Sequence, residues 1–505
     1  MSCDSLEEKL NDKLTPETFF KTKKDFDAGM ITVNNQLVGF IGWHNWIVEN
    51  YSDEFTIFTH PSGFNNDRHR RTDTHQLLPT DLSGQFPMGD FWGRIFSSIA
   101  NVNSMITAFE GADDSSTFKA NYIAQARTVR AYIYLKGMEL YGDMPIVTTA
   151  APVPGEPLPS RKPMKEVFNF IEKELLESIP NLPSGRQQKL TDISKESARA
   201  ILSKLYLNAE VFIGVPKYQE CLVQSEAILT APGWGMAVNY FDMFKVKNAT
   251  LTPQEFLVFS QPIPGVTKEL GVIHNRTHTQ EFLKDRTGLA SAPHVGWNGP
   301  AVTPLFYGMY DPADIRKTQG FIEGPVISLA SGKVLKDNNG VEINHTVEFY
   351  LSPATIPADR KPFVNNLYNG VRSTKWEIDA KAIADVAGNG FAHIRYSDIM
   401  LQKAECLIRL NGPNGVSDGL VNKIRARVFE PDKPLTNVTL NQIYWERGFE
   451  LWGESHRKND QARFNTLHLA DSFHPEMPLY TNLLPIPQDQ IDANPNFKQN
   501  PGYVK

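Results

Sequence analysis

The 505-residue sequence predicts a mainly α protein: an α-solenoid of about four helix pairs with a large loop-rich, irregular insertion packed against it. Three observations carry that expectation. From Phe91 onward, apolar residues recur at i, i+3, i+4 spacing in successive short segments. Each segment is too short and too amphipathic to be stable alone, so stacked pairs are the economical way to bury every stripe. Between roughly Trp234 and Arg395 the helical period disappears, and it resumes at Tyr396.

The elements follow in order. Residues 1–90 form a loop-rich N-terminal segment with one short helical pattern, Phe26 to Val38. Residues 91–233 form the first part of the solenoid. Phe91, Trp92, Ile95, Phe96, Ile99, Val102, Met105, Ile106 and Phe109 make one stripe, and Gly111-Ala-Asp-Asp breaks it. Phe118, Tyr122, Ala126, Val129 and Ile133 make the next, with alanines that let an antiparallel neighbour approach closely. Met164 to Ile179 is a third helix, opened by Pro163 and closed by Pro180 and Pro183. Ala198 to Ala209 and Tyr218 to Leu229 are the fourth and fifth.

Residues 234–395 are a loop-rich variable insertion, punctuated by Gly, Pro and Asn around short runs such as Phe256-Leu-Val-Phe259. A stretch of that length without periodicity usually carries functional loops on a scaffold. Residues 396–505 return to helices at Tyr396 to Leu410, Val416 to Val428 and Leu440 to Leu451, then end in a tail too rich in proline for helix. The expected organisation is one unit over 1–505, with the insertion packed on the helices.

Composition narrows the function classes. Net charge is −6, so no basic field exists to hold a phosphate backbone, and nucleic acid is not an expected partner. No apolar run approaches the ~20 residues that span a bilayer. Three cysteines make no disulfide scaffold. Cys221 and Cys406 sit at helical apolar spacing and read as small buried side chains. Cys3, before the polar string Asp4-Ser5-Leu6-Glu7-Glu8, reads by itself as a frayed terminal thiol.

Catalytic chemistry is thin. There is no GxSxG elbow, P-loop or Rossmann glycine pattern. Glu446, Arg447, Glu450, Glu454, Arg457, Asp460 and Arg463 alternate in sign, with i, i+3 pairs that meet if helix persists. They read as a structural ion-pair network tying the last helix to the tail rather than as an acid–base pair. His274 and His278, four apart without an acidic third ligand, read as solvated loop histidines, so no metal and no cofactor are expected. Arg68-His-Arg-Arg71, beside Asp67 and Asp73, reads as a solvated loop. Trp92, Trp445 and Trp452 fall in helix patterns and read as core. Trp43, Trp46, Trp234, Trp297 and Trp376 fall in loop-rich parts, where an indole face can serve as packing or as a stacking surface for a sugar.

Six blocks in order carry a family resemblance: Arg130-Ala-Tyr132 with Leu140-Tyr-Gly-Asp-Met-Pro145; Arg161 with Ile179-Pro-Asn-Leu-Pro183; Ile394-Arg-Tyr-Ser-Asp398 with Ala404-Glu405; Asn422-Lys-Ile-Arg-Ala-Arg427; Glu446 to Arg463; and Leu484-Pro-Ile-Pro487 with Asn494-Pro-Asn and Gln499-Asn-Pro-Gly-Tyr503. Together they resemble the SusD/RagB family of outer-membrane nutrient-capturing lipoproteins. The resemblance implies four tetratricopeptide-like units, binding without catalysis, an oligosaccharide or polysaccharide as cargo, and delivery to a SusC-like TonB-dependent transporter. It also implies that Cys3 is the lipidated residue anchoring the chain at the cell surface, with Met1-Ser2 standing where a signal segment has been removed. The residues expected at the ligand are Trp297, whose stretch precedes Pro304-Leu-Phe-Tyr and Asp311 as in the family, with Phe64, Asn65 and Asp67 as an opposing wall. A RagB-like peptide binder, or a solenoid that binds only protein partners, is the alternative.

Overall fold

The computed structural model describes residues 20–39, 42, 44–57, 67–83, 91–112, 117–150, 155–265, 267, 277–291, 296–348, 368, 370–383, 386–471 and 474–503. The principal helices are α1 Lys23–Gly39, α2 Asn45–Asn50, α3 Asp67–Asp73, α4 Phe91–Gly111, α5 Thr117–Tyr141, α6 Met164–Ser178, α7 Lys195–Leu207, α8 Tyr218–Leu229, α9 Pro304–Met309, α10 Tyr396–Asn411, α11 Gly415–Arg425, α12 Leu440–Leu451 and α13 Arg457–Arg463. Their starts follow local chemistry. Ser194 accepts from the Ser197 amide at 3.1 Å ahead of α7. Thr439 and Gln442 form a reciprocal capping box at α12, satisfying amides that a helix start leaves unbonded.

The stack runs α1–α4–α5–α6–α7–α8, and α8 then packs directly on α10, which is followed by α11 and α12. The solenoid is therefore continuous in space although some 166 residues separate Leu229 from Tyr396 in the chain (396 − 229 = 167 positions, 166 between them). Its largest apolar core is built from the stripes read in the sequence: Phe91, Ile95, Ile99, Val102 and Phe109 of α4 meet Ala126, Val129 and Ile133 of α5 and Ile171 and Leu175 of α6. The mainly helical, paired architecture expected from periodicity is what the chain adopts.

Between residues 234 and 395 the described chain forms short strands, single turns and short helices. Two five-residue strands, β2 Phe256–Ser260 and β4 Phe391–Arg395, pair antiparallel from Phe256↔Arg395 to Ser260↔Phe391 and draw the ends of this region together. A smaller core of Phe244, Phe256, Phe259, Trp376 and Phe391 forms under it.

The charged run departs from its expectation in its partners. Of the i, i+3 pairs, Asp460–Arg463 forms at 2.7 Å. Gly453 and Ser455 adopt positive φ (73° and 63°) and end α12, so Glu454 and Arg457 are not on one helix. Glu450 and Glu454 instead hold Arg395, at 2.9 and 2.6 Å. Glu446 holds Arg316 at 2.8 Å, and Lys375 reaches Glu454 at 2.7 Å. Arg447 bonds Asp398 and Asp460 at 2.9 Å each, and Arg463 bonds Glu405 at 2.7 Å. Arg457 makes a fork to Asp53 at 2.7 and 2.8 Å, lying 3.8 Å from the centre of the Tyr444 ring. Gly448 makes that route possible, because a Cβ there would lie 2.9 Å from Arg457 Nη1. The network is buried, and it ties the last helices to α10, to the 234–395 region and to the N-terminal segment.

The tail is tied by backbone acceptors instead. Arg161 donates to the carbonyls of Asp143, Tyr141 and Lys498, Asn500 donates to the Tyr141 and Leu484 carbonyls, and the Leu484 amide donates to Leu140. Three blocks far apart in sequence meet there.

Other expectations are corrected by burial. Arg70 and Arg71 lie in α3 rather than in a loop, and Arg71 Nε donates to Asp81 at 2.6 Å. His278 is 2% exposed and stacks on Phe282 at 4.1 Å, so it is no solvated loop histidine; His274 lies outside the described residues. Trp46 and Trp376 are core, as are Trp92 and Trp452. Trp445, expected in the core, is half-buried, and Trp43 lies outside the described residues.

Candidate functional site

The stretch around Trp297 is positioned by a two-stranded ribbon. β1 (Phe55–Thr56) pairs antiparallel with β3 (Ala301–Val302), Phe55 opposite Val302 and Thr56 opposite Ala301. Trp297 precedes β3 at the end of the ribbon where Ile57 follows β1. Val302 also bridges Val371, bringing a third strand of chain alongside. Antiparallel pairing thus joins, at one end of one ribbon, stretches some 240 residues apart.

Trp297 is half-buried and set firmly. Its ring meets the buried Trp46 of α2 edge-on, with centroids 5.6 Å apart and planes at 74°. The backbone before it passes so close to residues 278–280 that a Cβ on Gly296 would lie 2.8 Å from the Thr279 carbonyl carbon. Glycine is the residue that fits there. Asn298, after it, takes φ 49°, donates its amide to the His278 carbonyl at 2.9 Å, and accepts from Arg372 Nη2 at 2.9 Å. Arg372 is fully buried, and burial draws its pKa down to about 9. Thr277 closes the arrangement by donating to the Pro300 carbonyl.

Below the ribbon lies a carboxyl pair, Glu49 and Glu54, both fully buried. Burial first, and then Glu49, pushes Glu54 well above the usual carboxylate range; burial raises Glu49 as well. Glu54 accepts the Gly453 amide at 2.9 Å, and Glu49 accepts the Ser455 amide at 2.5 Å. The charge of Glu49 disfavours that of Glu54 in this dry site. The adjoining cavity, lined by Asn45, Trp46 and Pro300, is about 20 Å³, too small for any organic ligand. The pair is therefore flooring rather than an exposed acid and base.

Trp297 is thus an indole held on a fixed backbone at a loop-rich rim. Of the expected opposing wall, Phe64 and Asn65 lie outside the described residues, as does Cys3. Asp67 is the first residue of α3. Gly296, Asn298, Arg372 and Trp46, which hold the ring in place, were not singled out for that role from sequence. The pair Asn298-Gly299 is a turn signal that could have marked the bend, whereas nothing local points to Arg372. Among the described residues, no three His, Cys, Asp or Glu side chains gather as metal ligands.

Comparison with known proteins bears on the family and the fold. Residues 306–503 match the model of the "SusD family", and residues 9–207 match that of "Starch-binding associating with outer membrane". The chain is 23% identical to the "Starch-binding protein SusD" of Bacteroides thetaiotaomicron, over 81% of this chain and 77% of that protein. It is also 23% identical to the "SusD-like protein P2" of Formosa agariphila, over 100% and 97%. Among solved structures, a "Laminarin binding SusD-like protein" superposes with TM-score 0.73 at 20% identity, covering 96% of this chain and 100% of that one. "Surface glycan-binding protein A" of Bacteroides thetaiotaomicron, in complex with laminarihexaose, gives 0.70 at 16% identity over 95% and 100%. Two matching models that together cover most of the chain, relatives along its full length and the same fold in solved members agree: this chain belongs to the SusD/RagB family.

Proposed function

We propose that the protein is a cell-surface glycan-binding lipoprotein that captures oligosaccharides at the Trp297 rim and passes them to a SusC-like TonB-dependent transporter. The observation that carries the reading is the fixing of Trp297 by Gly296, Asn298 and Arg372 just before the β1–β3 ribbon. An aromatic ring that loses no freedom on binding is a good anchor for a sugar's C–H face. Relatives described as starch-binding, laminarin-binding and glycan-binding support the cargo class. Capture followed by hand-over needs no chemistry, and Glu450 and Glu454 of the charged run are committed to Arg395.

The expected result with purified protein is retention of a neutral polysaccharide in affinity electrophoresis, with no new reducing ends after long incubation. Binding of peptides and of no glycan moves the protein to the peptide-capturing branch. Release that vanishes with Glu450→Gln makes it a hydrolase.

Anchoring at Cys3 is part of the same reading. A precursor carrying Cys3→Ala is expected to leave the outer-membrane fraction in cells that lack the transporter, while keeping its fold by circular dichroism. One acyl chain alone anchors only marginally, so more than one, or the transporter, must complete the attachment. Unchanged fractionation of the variant removes Cys3 from this role.

A further inference from the structure

Where α8 meets α10, side-chain packing joins the two halves of the solenoid across the 234–395 region. Three contacts set the register of that seam. The Tyr396 hydroxyl donates to the Leu229 carbonyl at 3.1 Å, Lys403 pairs with Glu226, and the Arg409 guanidinium lies 5.2 Å from the centre of the Tyr218 ring. Positions rise along α10 as they fall along α8, so the two helices run antiparallel. Cys406 stands midway between Lys403 and Arg409, and Cys221 stands between Tyr218 and Glu226. The same register therefore sets the two cysteines face to face, and their thiols are in hydrogen-bonding contact. Both are fully buried, and both are free thiols here. We propose that in the exported protein Cys221 and Cys406 are oxidised to a disulfide bond that fastens α8 to α10. The inference rests on the cell-surface reading above, because disulfides form and persist outside the reducing cytoplasm.

The seam is built for close approach. Ser203 Oγ of α7 lies 3.3 Å from Cys221 Sγ and 3.0 Å from Ser225 Oγ, and it donates to Gln402 of α10 at 2.7 Å. Small side chains on facing helices let the backbones come near, and a disulfide needs Cα atoms ~4.4–6.8 Å apart. The bond closes a loop that contains the whole 234–395 region, Trp297 included. A loop of that length strongly restricts the unfolded chain, and the restriction stabilises the folded one.

The oxidant is itself a disulfide, either glutathione disulfide or the active-site disulfide of an exported thiol–disulfide oxidoreductase. One cysteine, as thiolate, attacks a sulfur of that disulfide, forming a mixed disulfide and releasing the other sulfur as a thiolate. The second cysteine loses its proton to solvent, attacks the sulfur of the first and releases the remaining thiolate. Two cysteine thiols give up two electrons and two protons, and the oxidant's disulfide becomes two thiols. Neither sulfur reaches solvent once the seam is closed. The exchange therefore takes place before α8 and α10 have docked, and the finished bond is shielded from reductants.

The test refolds the full chain, in a Cys3→Ala background that removes the third thiol, with either a mixture of reduced and oxidised glutathione or dithiothreitol. After thiols are blocked and the protein digested, mass spectrometry is expected to find a linked Cys221–Cys406 peptide in the first sample. In the second, both cysteines are expected to carry the blocking group. The linked protein is expected to melt roughly 3–6 °C above the reduced one, and that difference is expected to vanish in Cys221→Ala and in Cys406→Ala. The redox comparison is made on the unaltered seam, so it stands even where a variant fails to fold. Both cysteines blocked after oxidative refolding, or equal melting of linked and reduced protein, overturns the inference. Natural protein recovered from the outer-membrane fraction of its cells is expected to yield the linked peptide. Both thiols free in that fraction also overturns the inference, and leaves the surface reading standing.

Discussion

Glu450→Ala is expected to lower the free energy of unfolding by about 3–5 kcal/mol, the range for removing one member of a buried ion cluster. Glu450 is fully buried and bonds Arg395 and Arg316 at 2.9 and 3.3 Å, with Arg427 as a third partner. Truncation leaves three guanidinium groups sharing fewer carboxylates in a dry interior, and that uncompensated charge is the source of the loss. Equilibrium denaturation by urea measures it, and a midpoint within error of wild type would show the cluster to be energetically idle. The same residues set the acid limit. Burial would raise the Glu450 carboxyl, but Arg427, Arg395 and Arg316 hold it down at about 2; Asp460, against Arg447 and Arg463, is likewise held at about 2. Carboxyls whose folded pKa is depressed add stability that is fully present above their unfolded values, near 4.5 and 3.8, and lost as pH falls toward 2. Melting temperature is therefore expected to fall steeply across that window, and less steeply in Glu450→Gln.

Trp297→Ala is expected to weaken oligosaccharide binding by about 2 kcal/mol, roughly thirtyfold, as for loss of an aromatic anchor. Because the ring is half-buried against Trp46, truncation is also expected to cost about 1–2 kcal/mol of stability. Calorimetry with the retained glycan and a thermal melt separate the two effects. Trp297→Phe serves as the control, keeping an aromatic face. Unchanged affinity removes Trp297 from the site, and a melting loss as large as that of a buried tryptophan such as Trp92 makes it a packing residue.

Helices were readable because their signal is local. The Tyr218 to Leu229 and Leu440 to Leu451 patterns match the helices residue for residue, since an amphipathic period is written in a dozen neighbouring positions. Burial of loop tryptophans was not. Trp46 and Trp376 lie in stretches without period, and whether such an indole faces the core depends on what packs over it. The charged run shows the same limit. Sign alternation announced ion pairs, but Gly453 and Ser455 break the helix, and the true partners, Arg395, Arg316, Asp398 and Asp53, lie 49 to 404 positions away.

By itself, the sequence determined the helical class, most of the longer helices to within about three residues at their ends and, through six ordered blocks, the family. Each of those is encoded in short windows where spacing and side-chain type suffice. Only the tertiary structure decided that α8 packs on α10 across the intervening region. It alone decided that Gly296, Asn298 and Arg372 lock Trp297 beside the β1 ribbon, and that Cys221 and Cys406 meet across the α8–α10 seam. Those arrangements join residues hundreds of positions apart, and no local pattern records which distant surface will bury a side chain or leave it open.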